Sequence, residues 1–181
     1  MAGAELLRYV ALHFGEDTLH WYANARGDAG RQAYLKSVFG VFQALLETHV
    51  PVTVITDDDL ADPEQLRRHA VVILPNSACL SDRQATTLAA YVQGGGGLFA
   101  AFETGVFDEN GTRRDTPVLA DLLGVRQGPA TGGANWAIQA AQTHEILNVP
   151  EVTAGGDPAQ GSRERKPRIQ IFWAHRDRTA Q

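Results

Sequence analysis

Four short runs of apolar, often β-branched residues recur along the first two thirds of the chain and predict four β-strands. The runs cover residues 8–14, 51–56, 70–74 and 98–102. Residues 70–74 are apolar throughout, which is typical of a strand that is covered on both faces. A sheet with layers on both sides is therefore expected.

Helical patterns separate these runs. Ser81 and Gln84 have the spacing of a capping box, and apolar residues then recur every three or four positions from Ala85 to Val92. Four glycines, residues 94–97, end this helix, because glycine readily takes the left-handed conformation of a helix C-terminus. The strand-helix-strand order predicts a right-handed crossover between parallel strands.

Three further helices complete the pattern. Residues 30–49 carry apolar side chains on more than one stripe, so this helix needs a second neighbour besides the sheet. Shorter helices are expected at residues 63–68 and from Thr116 to the stop at Gly124, whereas residues 15–28 are interpreted as a long polar loop. The alternation predicts an α/β fold, a flavodoxin-like, doubly wound three-layer sandwich with a mostly parallel sheet.

The chain length favours a single domain over residues 1–181. Its core is expected at residues 8–125. Residues 126–181 are interpreted as a loop-rich closing segment with candidate edge strands at 136–138 and 168–173, and residues 162–168 form a basic, exposed stretch.

Composition excludes several classes of partner. The chain has 44% hydrophobic residues and a net charge of -5. It therefore lacks the excess of positive charge with which proteins bind nucleic acid or an anionic membrane. No apolar run is long enough to span a bilayer, and no signal peptide is evident at the start. The single cysteine forms no internal disulfide, and a cytoplasmic location is expected.

The sequence predicts neither a cofactor nor a metal. The four glycines follow a helix, whereas a phosphate cradle precedes one. The histidines lack the spacing of metal ligands. Asp57, Asp58 and Asp59 could bind a hard cation, but a turn and N-cap leading into the helix at residues 63–68 explains them more simply.

Candidate site residues cluster at the carboxyl ends of the predicted strands, where open α/β sheets bind ligands. A binding pocket is expected there, formed by Glu16, His20, Trp21, Asn76 and Glu103. The aromatic residues either cover a pocket or cap the core, and Glu103 either acts chemically or caps a loop. No catalytic residue is assigned.

Cys79 precedes a helix N-terminus, a position that lowers a thiol pKa. It lacks the flanking glycines of a nucleophile elbow, and no base is evident beside it. We therefore predict that Cys79 is not a nucleophile.

Two segments resemble a known family. They are PVTVITDDDL, residues 51–60, and VVILPNSACLSDRQATTLAAYVQGGGGLFAAFETGVFDENGTRRDTPVLADLLGV, residues 71–125. They resemble the trimerisation domain of β-galactosidase-type glycoside hydrolases, whose fold is similar to class I glutamine amidotransferases and ThuA-like proteins. The likeness covers residues 9–125. The amidotransferase nucleophile would be expected near Glu103 to Gly105, where this chain has Thr104.

The resemblance implies a non-catalytic accessory domain that helps a glycosidase oligomerise. Its expected partners are further copies of itself, a trimer being one candidate, or the (β/α)₈ barrel of a glycosidase. No barrel precedes Tyr9 in this sequence, so the two carboxylates of a retaining glycosidase have no expected place here. The alternative function is a small ThuA-like sugar-binding protein or hydrolase that uses the pocket at the strand ends.

Overall fold

A computed structural model describes residues 8–125 and the backbone of residues 171–174. The chain divides into two compact units, one made of residues 1–128 and 169–181 and the other of residues 129–168. Every described residue belongs to the first unit. The single domain over residues 1–181 stays a prediction, and the candidate strand at 136–138 and the basic stretch at 162–168 lie outside the described residues.

The described sheet has five strands in the order β2-β1-β3-β4-β5. The strands are β1 (Val10–His13), β2 (Val52–Ile55), β3 (Val71–Pro75), β4 (Gly97–Ala101) and β5 (Ile171–Ala174). The first four are parallel, with Val72 opposite Leu98, and β5 pairs antiparallel with β4. All four predicted strands are confirmed within a few residues, and the candidate edge strand at 168–173 corresponds to β5.

The predicted helices occur in the predicted order, and one short helix that was not predicted follows β2. The helices are α1 (Gly27–Glu47), α2 (Asp57–Leu60), α3 (Pro63–Leu66), α4 (Asp82–Gln93) and α5 (Ala120–Leu123). None of the described helices is long and apolar enough to cross a membrane.

The interpretation of residues 15–28 as a polar loop is wrong. This stretch contains a π-helical turn, Thr18–Ala23, and a 3₁₀ turn, Asn24–Arg26, that run directly into α1. Thr18, Tyr22 and Ala23 are buried. Their spacing of four to five residues directs one side of the turn into the core, and the polar residues between them hide that pattern in the sequence.

Two apolar clusters lie on opposite faces of the sheet. One joins Ala11, Val72 and Leu98 of the strands to Leu88 of α4, and the other joins Leu12 of β1 to Tyr34 and Val38 of α1. Successive residues of a strand point to opposite faces, which explains why Ala11 and Leu12 belong to different clusters. The doubly wound architecture is thus confirmed.

The C-terminus of α4 shows why the glycine run is there. Gly95 has a φ of 95° and donates its N–H to Val92, while Gly96 donates to Tyr91. These two bonds form a Schellman motif and satisfy carbonyls that the helix end would otherwise leave free. A Cβ on Gly96 would overlap the Tyr91 ring, whose hydroxyl donates to the His69 carbonyl at 3.0 Å. The structural interpretation of the glycines is confirmed.

Candidate functional site

A buried polar cluster joins the carboxyl ends of three strands. His13 is the last residue of β1, and its Nε2 lies 3.1 Å from Oδ1 of Asp57, which begins α2 just after β2. Its Nδ1 lies 2.7 Å from Oγ of Ser77, which follows β3. Because a carboxylate only accepts, Nε2 carries a proton and donates to Asp57, and Nδ1 shares a hydrogen bond with the Ser77 hydroxyl.

Asp57 also organises the backbone around it. Its Oδ2 accepts hydrogen bonds from the backbone N–H groups of Glu16 and Asp17, at 2.6 and 3.1 Å. The side-chain amide of Gln84, on α4, donates to both Oδ1 and the main-chain oxygen of Asp57. Burial raises the pKa of Asp57, but the hydrogen bond and charge of His13 and these further donors outweigh it, so the pKa lies below its ordinary value.

This geometry corrects the interpretation of the three aspartates. Asp57–Leu60 is a short helix of its own, with Thr56 as N-cap and Asp59 closing a capping box. A different residue, Asp62, caps the helix that follows. Asp57 is therefore a structural acceptor rather than a turn residue, and its hydrogen bonds extend across three strand ends.

The serine, histidine and aspartate of this cluster do not form a working nucleophilic triad. His13 is fully buried and Ser77 is 1% exposed, so a substrate carbonyl has no access to the hydroxyl. The Ser77 carbonyl accepts from the N–H of Gly105, and the Ser77 N–H donates to the Thr104 hydroxyl. The cluster holds the strand ends together.

A second, more accessible cluster surrounds Glu103. The Tyr22 hydroxyl donates to Oε2 of Glu103 at 2.6 Å, and the Arg26 guanidinium lies 3.8 Å from the same oxygen and stacks on the Tyr22 ring. Burial, then the hydrogen bond and charge of Glu103, raise the pKa of Tyr22, so its hydroxyl stays a donor. Two neighbouring side chains thereby hold the Glu103 carboxylate in place.

The five predicted pocket residues do not share one contact network. The Tyr22 hydroxyl donates to Glu103, and the Asn76 side chain acts to lower the pKa of that hydroxyl against the larger effects that raise it. His20 and Trp21 instead pack edge to face at 4.5 Å. Glu16 is exposed and bonds through its backbone. Within residues 8–125, no hydrogen bond or ion pair joins Glu16, His20 or Trp21 to the other two, and the pocket stays a prediction.

Strained backbone marks the ends of β3 and β4. Asn76 and Phe102 have φ values of 67° and 58° and, by the strand register, sit side by side one residue beyond the Pro75–Ala101 pair. A strained residue straight after a strand is where a nucleophile elbow carries its serine or cysteine. Here that residue is phenylalanine, and the nearby Thr104 hydroxyl is buried and bonded to the carbonyl of Ala101 at 2.7 Å.

Cys79 lies in the core on the α1 side of the sheet. Its side chain is fully buried, and burial raises the pKa of its thiol to about 12. The expectation that the following helix would lower this pKa is wrong, because desolvation of the thiolate outweighs the helix end. The prediction that Cys79 is not a nucleophile is supported by the same burial.

No group of three or more His, Cys, Asp or Glu side chains within the described part of the chain is arranged to hold a metal ion. The oxygens of Asp57 are already occupied by protein donors. The residues that sequence reasoning missed are His13, Ser77 and Gln84, with Tyr22 and Arg26 around Glu103. The detectable signal was a histidine at the end of an apolar strand.

Solved structures share this fold. Gan42B, a GH42 β-galactosidase from G. stearothermophilus, is 22% identical over 64% of this chain and 17% of its own, with a TM-score of 0.54. A β-galactosidase from Bifidobacterium adolescentis is 20% identical over 66% of this chain and 54% of its own, with a TM-score of 0.53. This chain therefore spans only a part of these proteins.

A comparison with curated proteins finds no match. The family model described as the β-galactosidase trimerisation domain matches residues 9–130, about two thirds of the chain. The matched range covers β1 to α5, and with it the four parallel strands and both polar clusters. The chain belongs to the β-galactosidase trimerisation domain family.

Proposed function

We propose that this chain is a non-catalytic accessory domain that self-associates through the outer surface of α1 and the neighbouring edge strand β2. The observation that carries the proposal is apolar surface left uncovered within residues 8–125. Phe39 is 62% exposed, Leu46 52% and Val54 50%. Family membership supports the same function.

Two apolar stripes run along α1. Tyr34, Val38 and Val41 pack on the sheet in the first stripe, which Leu45 continues. The second stripe comprises Leu35 and Phe42, which are partly buried against the same cluster, and Phe39 and Leu46, which are exposed. At 100° per residue the second stripe lies about 100° around the helix from the first. It therefore lies to the side of the sheet-facing stripe, and the helix has more apolar surface than the sheet covers.

The direction of the second stripe follows from chirality. α1 connects β1 to β2 by a right-handed crossover and runs antiparallel to both strands. In that arrangement the second stripe of a right-handed helix faces towards β2. β2 is the edge strand, and Val54 lies on its α1 face, because Val52 two residues earlier packs in the α1 cluster. Phe39, Leu46 and Val54 thus lie on one side of the molecule. We call this the α1–β2 surface.

The polar clusters support the non-catalytic part of the proposal. The Ser77 hydroxyl and the Cys79 thiol are buried, and phenylalanine occupies the strained position after β4. Among the acids near the strand ends, Asp57 and Glu103 are each held by protein donors. A glycosidase needs two carboxyl groups facing each other across a sugar-sized cleft.

Homotrimerisation and docking on a glycosidase barrel are the two forms of assembly that we propose, with the first as the direct expectation. A closed trimer needs a heterologous contact, so the α1–β2 surface would pack on a different surface of the next copy. The single buried cysteine fits the reducing cytoplasmic location that forms part of this proposal.

The experiment compares Phe39→Glu with Ala44→Glu by light scattering after size exclusion. Ala44 is exposed and lies on the opposite flank of α1, so both variants add one negative charge to the same helix. Complete burial of a phenylalanine is worth about 1.5–3 kcal/mol, so covering the exposed part of Phe39 contributes roughly 1–2 kcal/mol. Phe39→Glu should therefore weaken association by about tenfold or more.

Ala44→Glu should associate as the wild type does, and both variants should keep the far-ultraviolet circular dichroism of the wild type. Equal weakening by the two variants would show that charge, and not the α1–β2 surface, controls assembly. Turnover of an aryl glycoside by the purified chain would overturn the non-catalytic part.

A further inference from the structure

The proposed trimer needs a second contact surface on each copy, and the inference below rests on that proposed function. A closed head-to-tail ring joins two different surfaces of the same chain. The α1–β2 surface accounts for three of the large apolar side chains that are exposed in the described part of the chain. The other three are Tyr9, Trp21 and Phe102.

Trp21 is the largest of these side chains and is held firmly in place. It lies in the π-helical turn that follows β1 and is 45% exposed. The turn at residues 108–112 packs against it, since a Cβ on Gly111 would lie only 2.6 Å from the Trp21 Cβ. The His20 ring packs edge to face on the indole, with ring centroids 4.5 Å apart. A side chain that is already fixed loses little conformational freedom when a partner covers it.

Acidic side chains border Trp21. Asp17 directly precedes the π-helical turn, and the exposed Glu109 belongs to the turn that packs against Trp21. Burial raises the pKa of Asp17, and the charge of Glu109 contributes to the same rise, which indicates that the two carboxylates are near each other. Arg113, beyond that turn, lies over the Phe107 ring, 5.7 Å from its centroid. We call Trp21, with Asp17 and Glu109, the Trp21 surface.

The α1–β2 surface carries a positive charge beside its apolar residues. Lys36 is exposed and lies one turn before Phe39, on the side of α1 that points away from the sheet. Two Trp21 surfaces in contact would bring carboxylates against carboxylates. A Trp21 surface against an α1–β2 surface instead brings the indole to Phe39 and the carboxylates near a lysine, which is the complementary arrangement.

We propose that the Trp21 surface of one copy receives the α1–β2 surface of the next, so that copies of this chain join head to tail. At about 1.5 Å per residue, Phe39 lies about 18 Å along α1 from Gly27, whereas Trp21 precedes that helix. The two surfaces of one chain are therefore separate, as a ring of copies requires. Tryptophan is enriched among the residues that carry most of the binding energy of protein interfaces.

The test compares Trp21→Ala with Tyr9→Ala by sedimentation equilibrium of the full chain. Trp21→Ala removes the indole but keeps the Cβ against which the Gly111 turn packs. Loss of a central interface tryptophan should weaken association by about tenfold or more. Tyr9→Ala removes another exposed aromatic ring, just before β1, and should associate as the wild type does.

Mixing two variants tests whether the contact joins different surfaces. Trp21→Ala and Phe39→Glu each lose one of the two surfaces, so each alone should stay near 19.6 kDa at concentrations where the wild type assembles. An equimolar mixture keeps one intact contact, between Phe39 of the first variant and Trp21 of the second. It should form a heterodimer and nothing larger.

Glu109→Lys gives an independent measurement if circular dichroism shows that Trp21→Ala is misfolded. It reverses one exposed charge of the Trp21 surface and should weaken association by about threefold at low salt, and less at high salt. Unchanged association of this variant at low salt would overturn the proposal.

The outcomes separate this contact from the function on which it rests. Association of folded Trp21→Ala as in the wild type, while Phe39→Glu stays monomeric, would overturn the head-to-tail contact and leave self-association through the α1–β2 surface standing. A mixture without heterodimer would also overturn the head-to-tail contact. A wild-type chain that stays monomeric would overturn both.

Discussion

Replacing Asp57 by asparagine should destabilise the fold far more than any other single charge removal in the same helix. The carboxylate accepts hydrogen bonds from His13, from two backbone N–H groups and from Gln84. Asparagine has nearly the same shape, but one of its two terminal atoms becomes an NH₂ group. In one orientation that group faces the N–H groups of Glu16 and Asp17, and in the other it faces the donors of His13 and Gln84, so each orientation loses two of the existing hydrogen bonds.

The size of the effect follows from those contacts. A hydrogen bond to a charged group contributes about 1.5–3 kcal/mol, so losing two gives roughly 3–6 kcal/mol. A small domain unfolds with only about 5–15 kcal/mol, so the loss is a large part of the total. Asp58→Asn is the matched control, because Asp58 is exposed in the same first turn. It should change stability by less than about 0.5 kcal/mol.

Urea unfolding followed by circular dichroism, at one fixed protein concentration, measures both variants. The pH dependence adds a second readout. Because the folded-state pKa of Asp57 lies below its ordinary value of 3.8, its contribution is fully present above that value and is lost as the pH falls through the folded pKa. The difference between wild type and Asp57→Asn should therefore shrink below about pH 4. Unfolding of Asp57→Asn within 1 kcal/mol of wild type at neutral pH would refute the reasoning, since ~1 kcal/mol is an ordinary surface change.

Two further predictions concern two glycines and the cysteine. Gly96→Ala should destabilise the fold by about 1–3 kcal/mol, because the added Cβ overlaps the Tyr91 ring. Gly40→Ala lies at an open and exposed position of α1 and should stabilise the fold by about 0.5–1 kcal/mol. Equal effects of the two variants in thermal unfolding would contradict this prediction. The Cys79 thiol should react with a thiol reagent only after unfolding, because it is fully buried and its pKa is raised to about 12; rapid labelling of the native chain would show that the site opens.

The strands and α4 could be predicted because their signals are local. The capping box of Ser81 and Gln84, the apolar spacing from Ala85 to Val92 and the glycine run after it all act within one helix. The apolar excess of α1 was also visible, although which residues face outwards was not. Phe39 is the most exposed large apolar residue of those described.

The polar clusters could not be predicted in the same way. His13 lies 44 residues from Asp57 and 64 from Ser77, so only the register of the sheet brings the three together. Gln84 has a local role in the capping box, which hides its second role as a donor to Asp57. The helical turns at residues 18–26 were missed because π and 3₁₀ geometry does not follow the period of an α-helix.

Sedimentation equilibrium of the wild-type chain over a range of concentrations tests assembly most directly. If the α1–β2 surface is a self-association surface, the fitted mass should rise with concentration from 19.6 kDa towards three times that value. A mass that stays at 19.6 kDa up to high micromolar concentration would contradict the central claim.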